Sequence, residues 1–224
     1  MTLEILVIED NERYLEAAAD FLAIQGVDTT FASDYDGAMH LLDSRIKYFD
    51  WGKIEYEINR RMFNYAIIDC FFPKTAGSSD ISLGLEAVEK MRKVILPKRH
   101  GPISKTLEQV ETLLGKGFAK LAASNAKIRY EDHIDHYFAL EQAMKESPSN
   151  QPLGILVAEK AESLGIPFVL ATSTHHHDML TQPVYDYAAA KGWRLIDCKK
   201  GCEEDKASQQ YWARVYSELL ARNK

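Results

Sequence analysis

Acidic side chains stand at the ends of two short apolar runs of this chain. Glu9 and Asp10 follow the run at residues 3–8, and Asp69 follows the run at residues 65–68. Apolar runs of this length are typical of strands that are buried on both faces of a parallel sheet. The carboxyl ends of parallel strands meet at one edge of the sheet, where ligands bind in open α/β folds. We therefore expect the three carboxylates to lie together.

Two further strand candidates end near a hydroxyl and an ammonium group. Thr172 follows the run at residues 167–171, and Lys199 lies three residues after the run at residues 193–196, with Lys200 beside it as an alternative. Carboxylates are hard oxygen ligands that suit Mg²⁺, which takes few of them and keeps several waters. A lysine beside a hydroxyl suits an anion such as a phosphoryl group. The pattern predicts a magnesium site next to a phosphoryl site.

The elements that must position these groups alternate between strand and helix at both ends of the chain. The strand candidates are residues 3–8, 27–31, 65–68, 167–171 and 193–196. Helical spacing of apolar residues falls between and after them, at residues 14–25, 36–63 with a break near 50–52, 153–164, 183–191 and 205–222. Alternation of this kind predicts an α/β fold with a five-stranded parallel sheet.

Residues 74–150 interrupt the alternation with helical patterns and no convincing strand. The clearest helix candidate is residues 107–121, where apolar residues recur with a period of 3.6. We therefore expect a single domain, residues 1–224, with a mostly helical insertion at 74–150 between the third and fourth strands. The apolar stripe at 107–121 must pack on the insertion, on the α/β body or on a second copy. The insertion is accordingly a candidate surface for a homodimer or for docking a partner protein.

These residues resemble the receiver domain of response regulators in two-component signalling. The resemblance covers residues 3–73 and 151–222 and implies a flavodoxin-like, doubly wound sheet. It rests on the acidic pair Glu9 and Asp10 after the first strand, and on Asp69 after the third strand with Pro73 four residues later. It rests also on residues 168–173, which are a strand followed by hydroxyl side chains, and on Lys199 after the fifth strand.

The resemblance implies a phosphoacceptor and a magnesium site. Asp69 would accept a phosphoryl group from a histidine kinase or a phosphotransfer protein, as the central aspartate of the family does. Glu9, Asp10 and Asp69 would hold Mg²⁺ together with the backbone carbonyl of Phe71. Attack of a carboxylate on phosphorus depends mainly on positioning, and a metal ion neutralises charge on the transferred oxygens.

The same resemblance assigns roles to the hydroxyl and the lysine. Thr172 would be the switch hydroxyl, and Lys199 or Lys200 would contact the phosphoryl oxygens. The position three residues before Lys199 is Ile196, whereas the family commonly has an aromatic switch residue there. We expect a cytoplasmic response-regulator-like protein that acts in a phosphorelay through protein contacts of its insertion. It would be a regulatory phosphoacceptor rather than a turnover enzyme.

Two alternatives stay open beside this interpretation. A pseudo-receiver would keep the acidic residues as architecture and act by binding alone. A Mg²⁺-dependent phosphohydrolase would use Asp69 as nucleophile, but the common aspartate-nucleophile phosphatases need a second Asp two residues on, where this chain has Phe71. Asp69 also lies 59 residues after Asp10. This spacing exceeds that of the family by about four helical turns, which predicts additional helix before the third strand.

Composition argues against several other classes. The net charge of −6 disfavours broad nucleic-acid binding, and no apolar run reaches the length of about 18 residues that a transmembrane helix needs. Three cysteines, an odd number, favour a reducing compartment, and the first residues lack the pattern of a secretory signal. The consecutive histidines 175–177 are interpreted as a polar loop beside the site and not as a metal motif.

Overall fold

The computed structural model describes residues 3–43, 46–49, 55–58, 63–96, 134–175, 178–198 and 205–221. A 3₁₀ turn, Pro148–Asn150, follows the fourth helix. In chain order the elements are β1 (Glu4–Ile8), α1 (Glu12–Ile24), β2 (Asp28–Ala32), α2 (Tyr35–Asp43), β3 (Ile46–Phe49), β4 (Glu55–Ile58), β5 (Tyr65–Asp69), α3 (82–96), α4 (134–146), α5 (Gly154–Ser163), β6 (Phe168–Ala171), α6 (Thr181–Lys191), β7 (Leu195–Ile196) and α7 (Gln209–Leu220).

Five parallel strands form one sheet in the order β2-β1-β5-β6-β7. This strand order, with helices on both faces, is the flavodoxin-like arrangement, so the predicted fold class is confirmed. β5 lies at the centre with β1 and β6 on either side. These strands are almost entirely apolar because a central parallel strand is covered on both faces. The carboxyl ends of β1, β5 and β6 lie next to one another at the middle of one edge of the sheet.

Alternate residues of the central strands face two separate hydrophobic cores. Ile5 and Val7 of β1 pack with α1 and α7. Leu6 and Ile8 of the same strand pack with the core formed by α2, α3, α4, α5 and α6. Successive side chains of a strand point to opposite faces, so one apolar run serves both cores. Burial of this surface is the main favourable contribution to folding.

The segment between α2 and β5 contains strands where helix was predicted. β3 and β4 pair antiparallel, with Ile46 opposite Ile58 and Tyr48 opposite Tyr56. Isoleucine and tyrosine alternate with charged residues in both strands, a pattern that favours strand over helix. The helical prediction for residues 36–63 is therefore wrong at residues 46–49 and 55–58, and the residues between and around these strands lie outside the described ones. The additional length before β5 includes a two-stranded ribbon instead of an additional helix.

The insertion contributes two described helices to the larger core. Met91 of α3 and Leu140 and Met144 of α4 are buried there. These helices lie in the chain between β5 and β6, as expected of a helical insertion between the third and fourth strands of the sheet. The helix predicted at residues 107–121 lies outside the described residues. Within the described residues, no helix is long and apolar enough to cross a membrane.

Gln151 holds the point where the insertion returns to the α/β body. Its buried side chain accepts the N–H of Gly84 at 3.1 Å and donates to the carbonyls of Asp80 at 3.1 Å and Pro148 at 3.0 Å. Its own carbonyl accepts the N–H of Phe72 at 3.2 Å. A buried amide requires such partners. One residue thus joins the start of α3, the 3₁₀ turn and the loop after β5.

Candidate functional site

The central strands place Glu9 and Asp69 side by side. Ile8 of β1 pairs with Ile68 of β5, so the next residue of each strand is carried to the same point of the sheet edge. Glu9 is 2% exposed and Asp69 is 7% exposed. The start of α5 lies directly against this point because its first residue is Gly154. A Cβ at residue 154 would lie 2.1 Å from the carbonyl oxygen of Asp69, so the position requires glycine.

Lys206 connects the two buried carboxylates. Its Nζ donates to Asp69 Oδ1 at 2.6 Å and to the carbonyl of Ala171 at 3.4 Å, and it lies 2.5 Å from Glu9 Oε2. The second carboxylate oxygen of Asp69 accepts the N–H of Phe71 at 3.2 Å. Burial lowers the pKa of Lys206, but the charges of Asp69 and Glu9 outweigh burial and hold this pKa well above its ordinary value.

Asp10 completes an acidic group, which here means Glu9, Asp10 and Asp69. One carboxylate oxygen from each lies within 4.8 Å of the others. Burial, followed by the charge of Asp69, raises the pKa of Glu9 to about 7 and the pKa of Asp10 to about 6. Glu9 Oε2 is buried, and the ammonium group of Lys206 lies against it at 2.5 Å. When they are ionised, these three carboxylates carry more negative charge than the ammonium group of Lys206 offsets, so the arrangement favours a further cation.

Thr172 follows β6 at the same edge of the sheet. Its carbonyl accepts the hydroxyl of Tyr211 at 3.1 Å, which holds the backbone there against α7. Its own hydroxyl lies 2.9 Å from the hydroxyl of Thr174. The Thr174 hydroxyl is also hydrogen-bonded to the hydroxyl of Thr181, the first residue of α6.

One open pocket of about 340 Å³ brings these groups together. Its lining includes the predicted metal ligands, the predicted phosphoacceptor and the predicted switch hydroxyl, namely Glu9, Asp10, Asp69, Phe71 and Thr172. Three of the sheet strands therefore deliver their polar ends to a single cavity. A cavity lined by several carboxylates and a hydroxyl is suited to a small, highly polar ligand.

The pocket is also lined by residues that were not predicted from the sequence, among them Tyr14, Ser149 and Asn150. The ring of Tyr14, on α1, has its centroid 5.6 Å from Lys206 Nζ. Ser149 and Asn150 belong to the 3₁₀ turn that ends the insertion, and the Ser149 side chain lowers the pKa of Asp10. The insertion thus forms part of the wall, which no local sequence pattern indicates.

Lys206 is a contact of Asp69 that the sequence analysis did not name, and the prediction of Lys199 or Lys200 stays a prediction. Lys199 and Lys200 lie outside the described residues. Among the residues that the structure describes, Lys206 is the lysine that contacts Asp69. Lys206 lies two residues before Ser208, whose side chain caps α7 by accepting the N–H of Tyr211 at 3.2 Å. Its place two residues before a helix N-cap is the local signal that could have indicated this lysine.

The histidine loop has a structural role at its described end. Asp178 Oδ1 accepts the N–H of Leu180 at 3.1 Å and so stabilises the turn that precedes α6. His176 and His177 lie outside the described residues. Within the described part of the chain, the acidic group is the one set of His, Cys, Asp and Glu side chains compact enough to hold a metal ion. Cys70 is a buried free thiol, and burial raises its pKa.

Comparisons of the chain with models of protein families, with curated proteins and with solved structures give no match. Its function must therefore be inferred from the chemistry of the pocket.

Proposed function

We propose that this chain is a receiver-like signalling protein whose Asp69 accepts a phosphoryl group in the presence of Mg²⁺. The setting of Asp69 is the observation that supports the proposal most directly. One carboxylate oxygen accepts from Lys206 Nζ at 2.6 Å and the other from the Phe71 N–H at 3.2 Å, at the end of the central strand and in the wall of an open pocket. A carboxylate held at both oxygens is positioned for attack on phosphorus.

The acidic group is suited to a hard divalent cation. Its three carboxylates lie within reach of one ion, and they outnumber the ammonium group of Lys206 that contacts Glu9 and Asp69. Mg²⁺ would be held by Glu9, Asp10 and Asp69, with the carbonyl of Phe71 as a further ligand. The ion would neutralise the negative charge of the phosphoryl oxygens.

The bonds that form and break in the transfer involve only the phosphoryl donor and Asp69. A carboxylate oxygen forms a bond to phosphorus while the bond from phosphorus to the donor's leaving atom breaks, and the leaving atom keeps that electron pair. A phosphohistidine of a histidine kinase or of a phosphotransfer protein would be the donor. The ammonium group of Lys206 and the hydroxyl of Thr172 are the donors available for the phosphoryl oxygens.

The insertion is the proposed output surface. Its terminal turn lines the pocket, and the Asn150 side chain donates to the carbonyl of Ala143 in α4 at 3.0 Å. A change at the acidic group would therefore reach α4 through a short path. We assign the insertion to contacts with a downstream protein or with a second copy of the chain, and we assign no nucleic acid to this protein in view of its net charge of −6.

Intact-protein mass spectrometry after incubation with a small acyl phosphate and Mg²⁺ tests the proposal. The expected result is a labile gain of one phosphoryl group that requires Mg²⁺ and is lost in Asp69→Asn. Asp28→Asn is the matched control, because Asp28 is exposed at the start of β2 and should gain the group normally. Absence of any gain in the wild-type chain would contradict the proposal.

One observation favours a second candidate, a pseudo-receiver that acts by binding alone. Lys206 already contacts both Glu9 and Asp69 and offsets part of their charge. A chain with this function would bind Mg²⁺ poorly and gain no phosphoryl group. A phosphohydrolase is less well supported because Phe71, two residues after Asp69, offers no second carboxylate. Turnover of a phosphomonoester that is lost in Asp69→Asn would favour it.

A further inference from the structure

Three threonine hydroxyls form a continuous chain from the pocket into α6. Thr172 Oγ1 lies 2.9 Å from Thr174 Oγ1 and also accepts the Thr174 N–H at 3.3 Å. Thr174 Oγ1 is hydrogen-bonded in turn to Thr181 Oγ1. Thr172 and Thr181 are buried, and Thr174 is half-buried. The chain therefore leads inward from the pocket and ends at the first residue of α6.

The hydroxyls differ in their access to the pocket. Thr172 and Thr174 line it, whereas Thr181 does not. A buried threonine that does not reach a ligand can act on it only through its neighbours. Thr181 is thus a suitable residue for separating direct contact from positioning.

A hydroxyl donates one proton, and this limits the states of the chain. If Thr172 donates to Thr174, its proton points away from the pocket. If Thr181 donates to Thr174 and Thr174 donates to Thr172, the proton of Thr172 is released from the threonine chain, and an anionic oxygen in the pocket competes for it with the adjacent thiol of Cys70. Hydrogen bonds aligned in one direction polarise and strengthen each other. An anionic oxygen in the pocket would therefore favour the second state.

We propose that Thr174 and Thr181 are positioning residues that aim the hydroxyl of Thr172 at an anionic oxygen in the pocket. This inference rests on the proposed function, since the anion is the phosphoryl group on Asp69. The three hydroxyls act together, so that Thr181, the first residue of α6, helps to orient the proton that Thr172 donates. Occupation of the pocket is thereby linked to the start of α6 in a chain that has Ile196 where the resemblance suggests an aromatic switch residue.

The test measures the affinity of beryllium fluoride, a phosphoryl analogue, in the presence of Mg²⁺. Thr181→Val removes the distant hydroxyl with little change of shape and should weaken binding by about threefold to tenfold, the range expected for one hydrogen bond. Thr181→Ser keeps the hydroxyl and should restore wild-type affinity. Thr174→Val removes the middle hydroxyl and should weaken binding at least as much, which keeps the test decisive if Thr181→Val does not fold.

Two controls separate positioning from general damage. Thr30→Val removes a half-buried hydroxyl on β2, where Thr30 Oγ1 lies 3.5 Å from Glu4 Oε1, and should leave the affinity unchanged. The affinity for Mg²⁺ alone should be the same in all folded variants. Wild-type affinity in both Thr181→Val and Thr174→Val would overturn the inference. Equal weakening in Thr181→Ser and Thr181→Val would also overturn it, because the methyl packing would then be responsible.

Failure of the proposed function has a different signature. The wild-type chain would neither gain a phosphoryl group by mass nor bind the analogue, and the inference would fall with the function. If the wild-type chain gains the group and binds the analogue while the valine variants match it, only the positioning role is overturned.

Discussion

Two clusters of charged groups in this molecule are built from similar residues and behave in opposite ways. The site cluster consists of Glu9, Asp10, Asp69 and Lys206 at the sheet edge. The helix cluster consists of Glu159 on α5, Lys90 on α3, and Lys191 and Tyr187 on α6. In the site cluster carboxylates outnumber the ammonium group, whereas in the helix cluster two ammonium groups surround one carboxylate.

The pKa values of the two glutamates, Glu9 in the site cluster and Glu159 in the helix cluster, shift in opposite directions. Burial raises the pKa of Glu9 to about 7, and the nearby charge of Asp69 adds to the effect. Burial acts on Glu159 as well, but the hydrogen bonds from Lys90 and Tyr187 outweigh it and lower the pKa. The comparison shows that neighbouring charges and donors, and not burial alone, decide the direction in which the pKa of a glutamate shifts.

The largest expected effect comes from removing Lys206 from the site cluster, and removal of Lys90 from the helix cluster is the comparison. Lys206→Met leaves two buried carboxylates uncompensated and should lower the free energy of unfolding by about 3–5 kcal/mol. Lys90→Met should cost at most about 1 kcal/mol, because the Lys90 side chain is 43% exposed and its ion pair is screened. Urea unfolding at neutral pH measures both. Equal losses would show that the two clusters do not differ in kind.

Addition of Mg²⁺ should stabilise the chain through the site cluster alone. At a concentration of about 100 times the dissociation constant, a ligand of the folded state adds about 2.7 kcal/mol to the free energy of unfolding. Asp10→Asn should abolish most of this gain, and Glu159→Gln should keep all of it. Thermal unfolding with and without Mg²⁺ provides the measurement. A gain that survives in Asp10→Asn would place the ion elsewhere.

The pH dependence should also separate the clusters. In the unfolded chain Glu9 loses its proton near its ordinary value of 4.5, whereas the folded chain keeps that proton up to about pH 7. Without Mg²⁺, stability should therefore fall as pH rises from about 4.5 to 7, by an amount on the order of 2 kcal/mol. Glu9→Gln should reduce this slope, and Asp10, whose pKa is raised to about 6, should account for the part that remains below that pH.

Glu159→Gln is the control for the pH experiment. The lowered pKa of Glu159 gives stability that is lost as pH falls below the ordinary range of a glutamate, so its removal should not alter the slope between pH 4.5 and 7. An unchanged slope in Glu9→Gln, measured by denaturant titration across this range, would contradict the assignment of the raised pKa.

The smallest expected effect concerns the contribution of the insertion to the site cluster. The Ser149 side chain lowers the pKa of Asp10, so Ser149→Ala should make the carboxylate harder to ionise and weaken Mg²⁺ binding by about threefold. Ser163→Ala is the control, since its hydroxyl donates to the Lys160 carbonyl on α5, away from the pocket. Calorimetric titration with Mg²⁺ measures the affinity of both variants. Equal affinities of Ser149→Ala and the wild-type chain would show that the insertion does not contribute to Mg²⁺ binding.

Much of the site could be predicted because its acidic residues are marked by local pattern. Glu9, Asp10 and Asp69 each follow a buried apolar run, and Thr172 does the same after β6. The parallel sheet then brings their strand ends to one edge, as the topology rule for such sheets requires. The segment at 46–58 was mistaken because short runs of mixed apolar and charged residues fit helical and strand periods alike.

The sequence by itself determined the strands of the sheet, their polar ends and the position of the insertion, because apolar periodicity and helix caps are properties of neighbouring residues. Only the tertiary structure decided which lysine meets Asp69, since Lys206 lies 137 residues away and its place depends on how α7 packs on the sheet. The same holds for the Thr174–Thr181 contact and for Ser149 in the pocket wall. Loop lengths and helix packing bring these groups together, and no local pattern encodes such distances.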